Sequence, residues 1–389
     1  MNWKVAAAAG ALILAAGGLA CRDATRPEQN VAAAQSSPVP GEYIVVFQPS
    51  VADPATLATQ LVRANGGTLR FTYTSALKGF AATLPAAAAQ ALARNPLVAY
   101  VEQDQVYGVD VTQSMDANGD PWGLDRVDQQ AGPLSRTYTY TATGAGVHAY
   151  IIDTGIWDLH PDFGGRANNV YDAFGATGTD CHGHGTHVAG TIGGTTYGLA
   201  KGVSLHGVRV LSCAGLGLTS QIIAGIDWVR QNAVKPAVAN MSLGGGLSTA
   251  LNDATTNLWN SGVFVAVAAG NDNADACTAS PASATGAFTA AASEKTDAKA
   301  SYSNWGTCVE AYAPGSAIVS DFLAGMTMSL SGTSMASPHF AGVAALYKAT
   351  FGDQPSATVS NWIVTNATNG VIAGNPSGTP NKLLYKSTL

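Results

Sequence analysis

The chain has 389 residues, enough for two or three domains and at least one large core. Only 11% of residues are charged and the net charge is −6, so no basic footprint for nucleic acid exists. With 47% apolar residues, low charge also excludes a disordered chain.

Taken in chain order, "MNWKVAAAAGALILAAGGLAC" has one Lys, a short apolar core and small residues. It reads as a signal peptide over 1–21, too short and too rich in Ala and Gly for a membrane span. Cys21 is a candidate lipid attachment point on the precursor. Gly18, however, stands where such sites carry Leu or Val, so ordinary cleavage nearby is the expectation. No later run reaches ~18 apolar residues. Residues 22–40 read as a linker.

A compact pattern follows over 41–110. "EYIVVF" is a strand, and "PATLATQLVRANGG" is a helix opened by Pro54 and stopped by Gly66 and Gly67. "TLRFTYTSALKGFAATL" gives two strands, "PAAAAQALARNP" a helix, and "LVAYVEQDQVYGV" a last strand. That order is the split ferredoxin-like α+β arrangement, and it contains no catalytic constellation. "DVTQSMDANGDPWGLD" breaks the pattern as a processing joint, and "DANGD" (Asp116 to Asp120) reads as linker because Gly119 is out of register for a calcium loop.

From Val147 the rhythm is α/β. "VHAYII", "SLHGVRVL", "PAVANMSL" and "GVFVAVAA" alternate with the helical "SQIIAGIDWVRQNA" and "TALNDATTNLWNSG". Continuous apolar runs imply strands buried on both faces, hence a mostly parallel sheet flanked by helices. Cys181, Cys213, Cys277 and Cys308 permit three pairings, and consecutive pairing closes loops of 32 and 31 residues. With no zinc spacing and a signal peptide, disulfides Cys181–Cys213 and Cys277–Cys308 are expected, each worth ~3–4 kcal/mol.

Strand ends carry the chemistry. "VHAYII" runs into Asp153 and "VFVAVAAG" into Asn271, and parallel strands place both at one sheet edge. "HGTHVAGTIGG" and "GTSMASPHFAGVAALYKAT" read as helices with His184 and Ser334 at their N-terminal ends. A Ser hydroxyl becomes nucleophilic once a base removes its proton, and a carboxylate holds that base in the right tautomer. A helix N-terminus adds N–H donors for a developing oxyanion.

The ordered blocks "IIDTGI", "GHGTHVAG", "NMSLGGG", "VAVAAGN" and "SGTSMASPHFAGVAAL" resemble the subtilisin-like serine peptidases. The likeness is to the proteinase K branch and its aqualysin-like secreted bacterial members. It covers 111–389, and 41–110 resembles the inhibitory pro-domain. The resemblance implies that Asp153 orients His184, that His184 is general base and then acid, and that Ser334 is the nucleophile. The Asn271 amide and the Ser334 N–H would form the oxyanion hole. It further implies two edges for an extended substrate, Gly215-Leu216-Gly217 and Ser242-Leu243-Gly244. Ala268, Ala269 and Gly270 would line an apolar pocket for the residue before the cut. Both cysteine pairs fall where this group has disulfides.

Calcium is implied too. Asp125, Asp128, Gln129, Ser135 and Thr137 resemble one site of the group; the Thr285 and Ala287 carbonyls with Glu310 correspond to a second, although the family usually has Asp there. The expectation is a secreted, monomeric endopeptidase acting on polypeptides, with its own pro-domain as intramolecular chaperone and inhibitor, cut near Asp110–Val111.

Rival readings are weak. His182, His184 and His187 suggest zinc, but no His-Glu-x-x-His motif is present; His187 is expected to be packed and His182 exposed. A single Asp-Thr-Gly cannot supply an aspartic dyad, and "GTSMA" ends in Ala336, not the Gly of a hydrolase elbow. A non-catalytic relative is disfavoured because all four catalytic positions are filled.

Overall fold

The computed structural model describes residues 38–108, 112–114 and 121–389. The signal segment, Cys21, most of the linker, the Asp110–Val111 joint and Asp116–Asp120 lie outside the described residues. The chain opens with β1 (Pro38–Phe47), α1 (Pro54–Ala64), β2 (Thr68–Tyr73), β3 (Gly79–Thr83), α2 (Ala86–Leu92) and β4 (Val98–Gly108). Asp53 caps α1 by accepting the Thr56 N–H at 3.0 Å, with Pro54 in the first turn. The strands lie in the order β2-β3-β1-β4, all antiparallel, around a small core of Val45, Phe47, Val62, Phe80, Leu84 and Leu92. The ferredoxin-like order read from the sequence is the one observed.

After β5 (Thr112–Ser114) come α3 (Trp122–Val127), β6 (His148–Asp153), β7 (Ala167–Asp172), α4 (His184–Gly193), β8 (Ser204–Arg209), β9 (Leu216–Leu218) and α5 (Thr219–Asn232). Then follow β10 (Ala237–Met241), β11 (Gly245–Gly246), α6 (Thr249–Asn260), β12 (Phe264–Ala268), β13 (Ala279–Ser280), β14 (Phe288–Ser293) and β15 (Ala311–Pro314). The chain closes with β16 (Ile318–Asp321), β17 (Thr327–Ser331), α7 (Thr333–Phe351), α8 (Ser356–Asn366), β18 (Thr368–Asn369) and β19 (Lys382–Leu383).

The main sheet runs β18-β19-β15-β14-β12-β10-β6-β8-β7, parallel except at β18. Its inner strands β6, β10, β12, β14 and β15 are buried on both faces, as the unbroken apolar runs require. Ala149 and Ile151 of β6 face the core that holds α4 and α7, whereas Tyr150 and Ile152 face α5 and α6. Strand order reverses beside β6, so the carboxyl ends of β6, β10 and β12 open onto a crevice.

The small sheet docks on α5 and α6. Ile44, Val46, Tyr73 and Leu77 enter the same apolar layer as Ile222, Ile226, Leu251 and Leu258. Three carboxylates frame that contact. Glu102 accepts from Ser248 Oγ and the Ala250 N–H, Asp104 accepts the Ser220 N–H at 2.9 Å, and Asp227 accepts the Ser75 and Ala76 N–H groups. Glu102 and Asp104 thus sit at the N-termini of α6 and α5, where the helix dipole favours anions.

Candidate active site

Asp153 ends β6 and is wholly buried. Its Oδ1 receives the Thr154 N–H at 2.7 Å and lies 2.7 Å from His184 Nδ1. Thr154 Oγ1 in turn accepts the Gly185 N–H at 2.9 Å, tying the strand end to the first turn of α4. Gly183 precedes His184 with φ +102°, and a Cβ there would lie 2.2 Å from the Phe322 ring. Only glycine makes this entry.

Asp180 fixes the same turn. One oxygen accepts the His182 and Gly183 N–H groups at 2.9 Å; the other accepts the Thr186 N–H at 2.9 Å and its hydroxyl at 2.6 Å. Sequence reading passed over this residue, whose only signal was an acidic side chain just ahead of a helix start.

Ser334 occupies the first turn of α7. Pro338, four residues on, has no N–H to give the Ser334 carbonyl and sterically turns it outward. Ser242 Oγ supplies the missing donor at 2.7 Å, itself held by Asn240 Nδ2 at 2.8 Å, and Ser337 closes the network on Asn240 Oδ1 at 2.6 Å. The Ser334 hydroxyl donates to the Ser242 carbonyl at 3.2 Å. His184 Nε2 is buried without a hydrogen-bond partner. Asp153 and His184 are therefore bonded, while Ser334 Oγ is directed to the strand carbonyl rather than to the imidazole.

Asn271 follows β12. Its Oδ1 accepts the Thr333 N–H at 2.8 Å and lies 3.0 Å from Thr333 Oγ1, which orients the amide next to Ser334. Gly270, at φ +101°, gives its N–H to Thr333 Oγ1 at 3.1 Å. Asn304 clamps this loop from below, accepting from Asp272 and Ala274 and donating to the Ala269 carbonyl at 2.9 Å. No sequence signal marked Asn304. Ala268 and Ala269 are buried beneath the loop.

One suggested edge pairs with β4. Val106, Tyr107 and Gly108 pair antiparallel with Leu218, Gly217 and Leu216 of β9, beside Gly215. Gln105 Nε2 of β4 donates to the Leu247 carbonyl at 3.1 Å, and Ser242 and Leu243 are buried. Thr112–Ser114 pair with Ser331–Ser329 of β17.

His187 is buried, with Nε2 2.9 Å from the Ile318 carbonyl and 3.1 Å from that of Met328, and burial pushes it down to about 3. It is the packed residue expected. His182 is a correction: it is half-buried, not exposed, because its ring stands edge-on to His184 at 6.3 Å. Among the described residues no group of three or more His, Cys, Asp or Glu is placed to hold a metal. The cysteines pair as Cys181–Cys213 and Cys277–Cys308.

Residues 144–382 match the subtilase family and residues 42–110 the peptidase inhibitor I9 family. The chain belongs to the subtilases. It is 48% identical over 371 residues to the extracellular serine proteinase of Thermus sp. strain Rt41A, covering 89% of this chain and 90% of that one. It is 44% identical over 350 residues to the cuticle-degrading protease of Metarhizium anisopliae, covering 88% and 89%. The solved structure of a cold adapted subtilisin-like serine proteinase matches with TM-score 0.68 and 50% identity, covering 69% of this chain and 98% of that one. This subtilase is thus a serine endopeptidase of subtilisin-like fold preceded by an I9 pro-domain.

Around the loop that resembles a calcium site, Asp125 Oδ1 gathers Gln129 Nε2 at 3.0 Å and Ser135 Oγ at 2.8 Å, and Thr137 Oγ1 lies 2.7 Å from Ser135 Oγ. Asp128 takes the Thr139 N–H at 2.6 Å. Of the second set, Glu310 accepts the Thr289 N–H, and burial pushes its carboxyl up to about 8.

Proposed function

We propose that this subtilase is secreted as a proenzyme and cleaves proteins through Asp153, His184 and Ser334, with Asn271 and the Ser334 N–H as oxyanion donors. The observation that carries the reading is the buried 2.7 Å contact of Asp153 with His184 Nδ1. It leaves Nε2 as the free lone pair of the imidazole, buried without a hydrogen-bond partner. A rotation of the Ser334 hydroxyl away from the Ser242 carbonyl delivers its proton to that nitrogen; catalytic hydrogen bonds commonly tighten only around substrate. Ser334 Oγ then attacks the scissile carbonyl, the oxyanion takes the Asn271 and Ser334 N–H groups, and His184 returns the proton to the leaving amine. Water repeats the cycle on the acyl-enzyme.

Substrate would lie where β4 lies, between 215–217 and 242–244, held by main-chain bonds that ignore sequence. The apolar floor of Ala268, Ala269 and Gly270 favours aromatic or aliphatic residues before the cut. In this reading 1–21 is removed on export, 22–40 is a linker, 41–110 is the inhibitor and chaperone, and 111–389 is the monomeric catalytic domain. The Asp125 loop gathers the Ser135 and Thr137 hydroxyls and, with Asp128 and the Gln129 amide turned to offer its oxygen, would hold one structural calcium.

Ser334→Ala should leave the full chain uncut and abolish turnover of a fluorogenic peptide; an active, processed variant sinks the mechanism. A serine-directed covalent inhibitor should block the enzyme and phenanthroline should not. N-terminal sequencing of the secreted product should begin near Val111. Calcium should raise the unfolding temperature of the Ser334→Ala chain, and Asp125→Ala should cancel that rise.

A further inference from the structure

Asp321, the last residue of β16, is wholly inaccessible to solvent, and neither carboxyl oxygen has a hydrogen-bond partner. An ionised carboxylate so placed is strongly disfavoured. The groups facing it offer no relief. From the turn after β6, His160 Nδ1 lies 3.5 Å from Asp321 Oδ1. That nitrogen accepts the Asp162 N–H at 3.2 Å, whereas Nε2 meets the Met326 carbonyl at 3.0 Å and so carries the hydrogen. With Nδ1 accepting from Asp162 and Nε2 turned to Met326, the ring is engaged away from Asp321. Arg166 spends its guanidinium on the Gly193, Val203 and Asp162 carbonyls. Lys201 is bonded to the Thr195 and Thr196 carbonyls, and Tyr197 adds only an un-ionised phenol.

The remaining neighbour is Asp162. All of its own partners are donors, namely the Thr196 N–H at 2.9 Å and the Thr196 hydroxyl at 2.6 Å, so a hydrogen between the two carboxyls sits on Asp321. From α4, Gly190 approaches so closely that a Cβ there would lie 2.7 Å from Asp321 Oδ2, and His187 Nε2 is turned to the Ile318 and Met328 carbonyls. A Cβ placed on Gly194 would lie 2.6 Å from Asp162 Oδ2 and 2.8 Å from Asp321 Oδ2, so both carboxyls look into one small hollow.

We propose that Asp162 and Asp321 share one proton, carried by Asp321, and that this acid–carboxylate contact is a pH-sensitive latch between the turn after β6 and the β16–β17 hairpin. Burial and the Asp162 charge both raise the Asp321 carboxyl, to about 8. The latch lies close to the working parts. Ser320 Oγ donates to the His187 carbonyl at 2.8 Å, so the hairpin also braces the helix that carries His184. Because folding raises this carboxyl, the fold takes up a proton. Its contribution is complete below the unfolded carboxylate range and is lost as pH climbs through about 8, where two carboxylates come to face each other.

The test is scanning calorimetry of the full Ser334→Ala chain, with and without Asp321→Asn, from pH 6 to 9.5 at fixed salt. Asn keeps a hydrogen for Asp162 and does not titrate. The parent should lose ~2–5 °C more than Asp321→Asn across that range. Asp162→Asn, which removes the opposing charge but leaves Asp321 buried, should flatten the profile in part, and it serves if Asp321→Asn folds poorly. Parallel pH profiles for parent and variants overturn the proposal. So does a pH-dependent difference that appears only with added calcium, since that assigns the pair to a cation.

Discussion

Asp180 shows what a single side chain contributes to this site. It accepts four hydrogen bonds from the turn that presents His184. Asp180→Ala strands several buried donors and should cost ~3–5 kcal/mol in denaturant unfolding, with a fall in kcat. Asn271→Ala should lower kcat by ~10²–10³, the loss already established for this donor in the same family. Glu310 predicts a pH effect of definite sign. Its carboxyl is raised to about 8, so its stabilisation is full in acid and lost as pH rises through that value. Glu310→Gln should therefore unfold at a higher temperature than the parent at pH 9 and show no such gain at pH 5. His187 runs the other way: held at about 3, it favours the fold above the ordinary imidazole range and weakens it in acid. The contact of Asp153 with His184 was legible in the sequence because the chemistry proposed for it permits few residue types. Asp180 and Asn304 were not, because they serve backbone N–H groups, and every sequence has those.

Among elements, β4 joins two parts of the chain. Its carboxylates Glu102 and Asp104 meet the starts of α6 and α5, and Tyr100 OH reaches Asp253 at 2.5 Å. A pro-domain carrying Glu102→Ala and Asp104→Ala, added in trans, should inhibit the mature peptidase ~10–100-fold less well, the effect of losing two charges at helix N-termini. An unchanged inhibition constant would place the affinity in the apolar layer of Ile44, Val46 and Leu77 alone. Helix α1 could be read in advance because Pro54 opens it and Gly66 and Gly67 follow its end, and α5 and α6 from their place between apolar strand runs. The β16–β17 hairpin could not. Its strands are short, Ala324 at φ +56° interrupts them, and their pairing is set by contact with α4.

At the scale of the whole molecule, a nine-stranded sheet with apolar residues on both faces leaves little surface for charge, which accounts for the 11% charged content. The fold class was readable for that reason; the order of the strands was not, since continuous apolar runs carry no register. Two disulfides close loops of 32 and 31 residues. Replacing Cys277 and Cys308 by Ser should cost ~3–4 kcal/mol, seen as a lower unfolding temperature. The cut proposed near Asp110–Val111 falls between two segments that are each stitched to a different strand, Val106–Gly108 to β9 and Thr112–Ser114 to β17. A bond tethered on either side meets its nucleophile without any collision between molecules. Self-cleavage should then proceed at one pace however thinly the precursor is diluted.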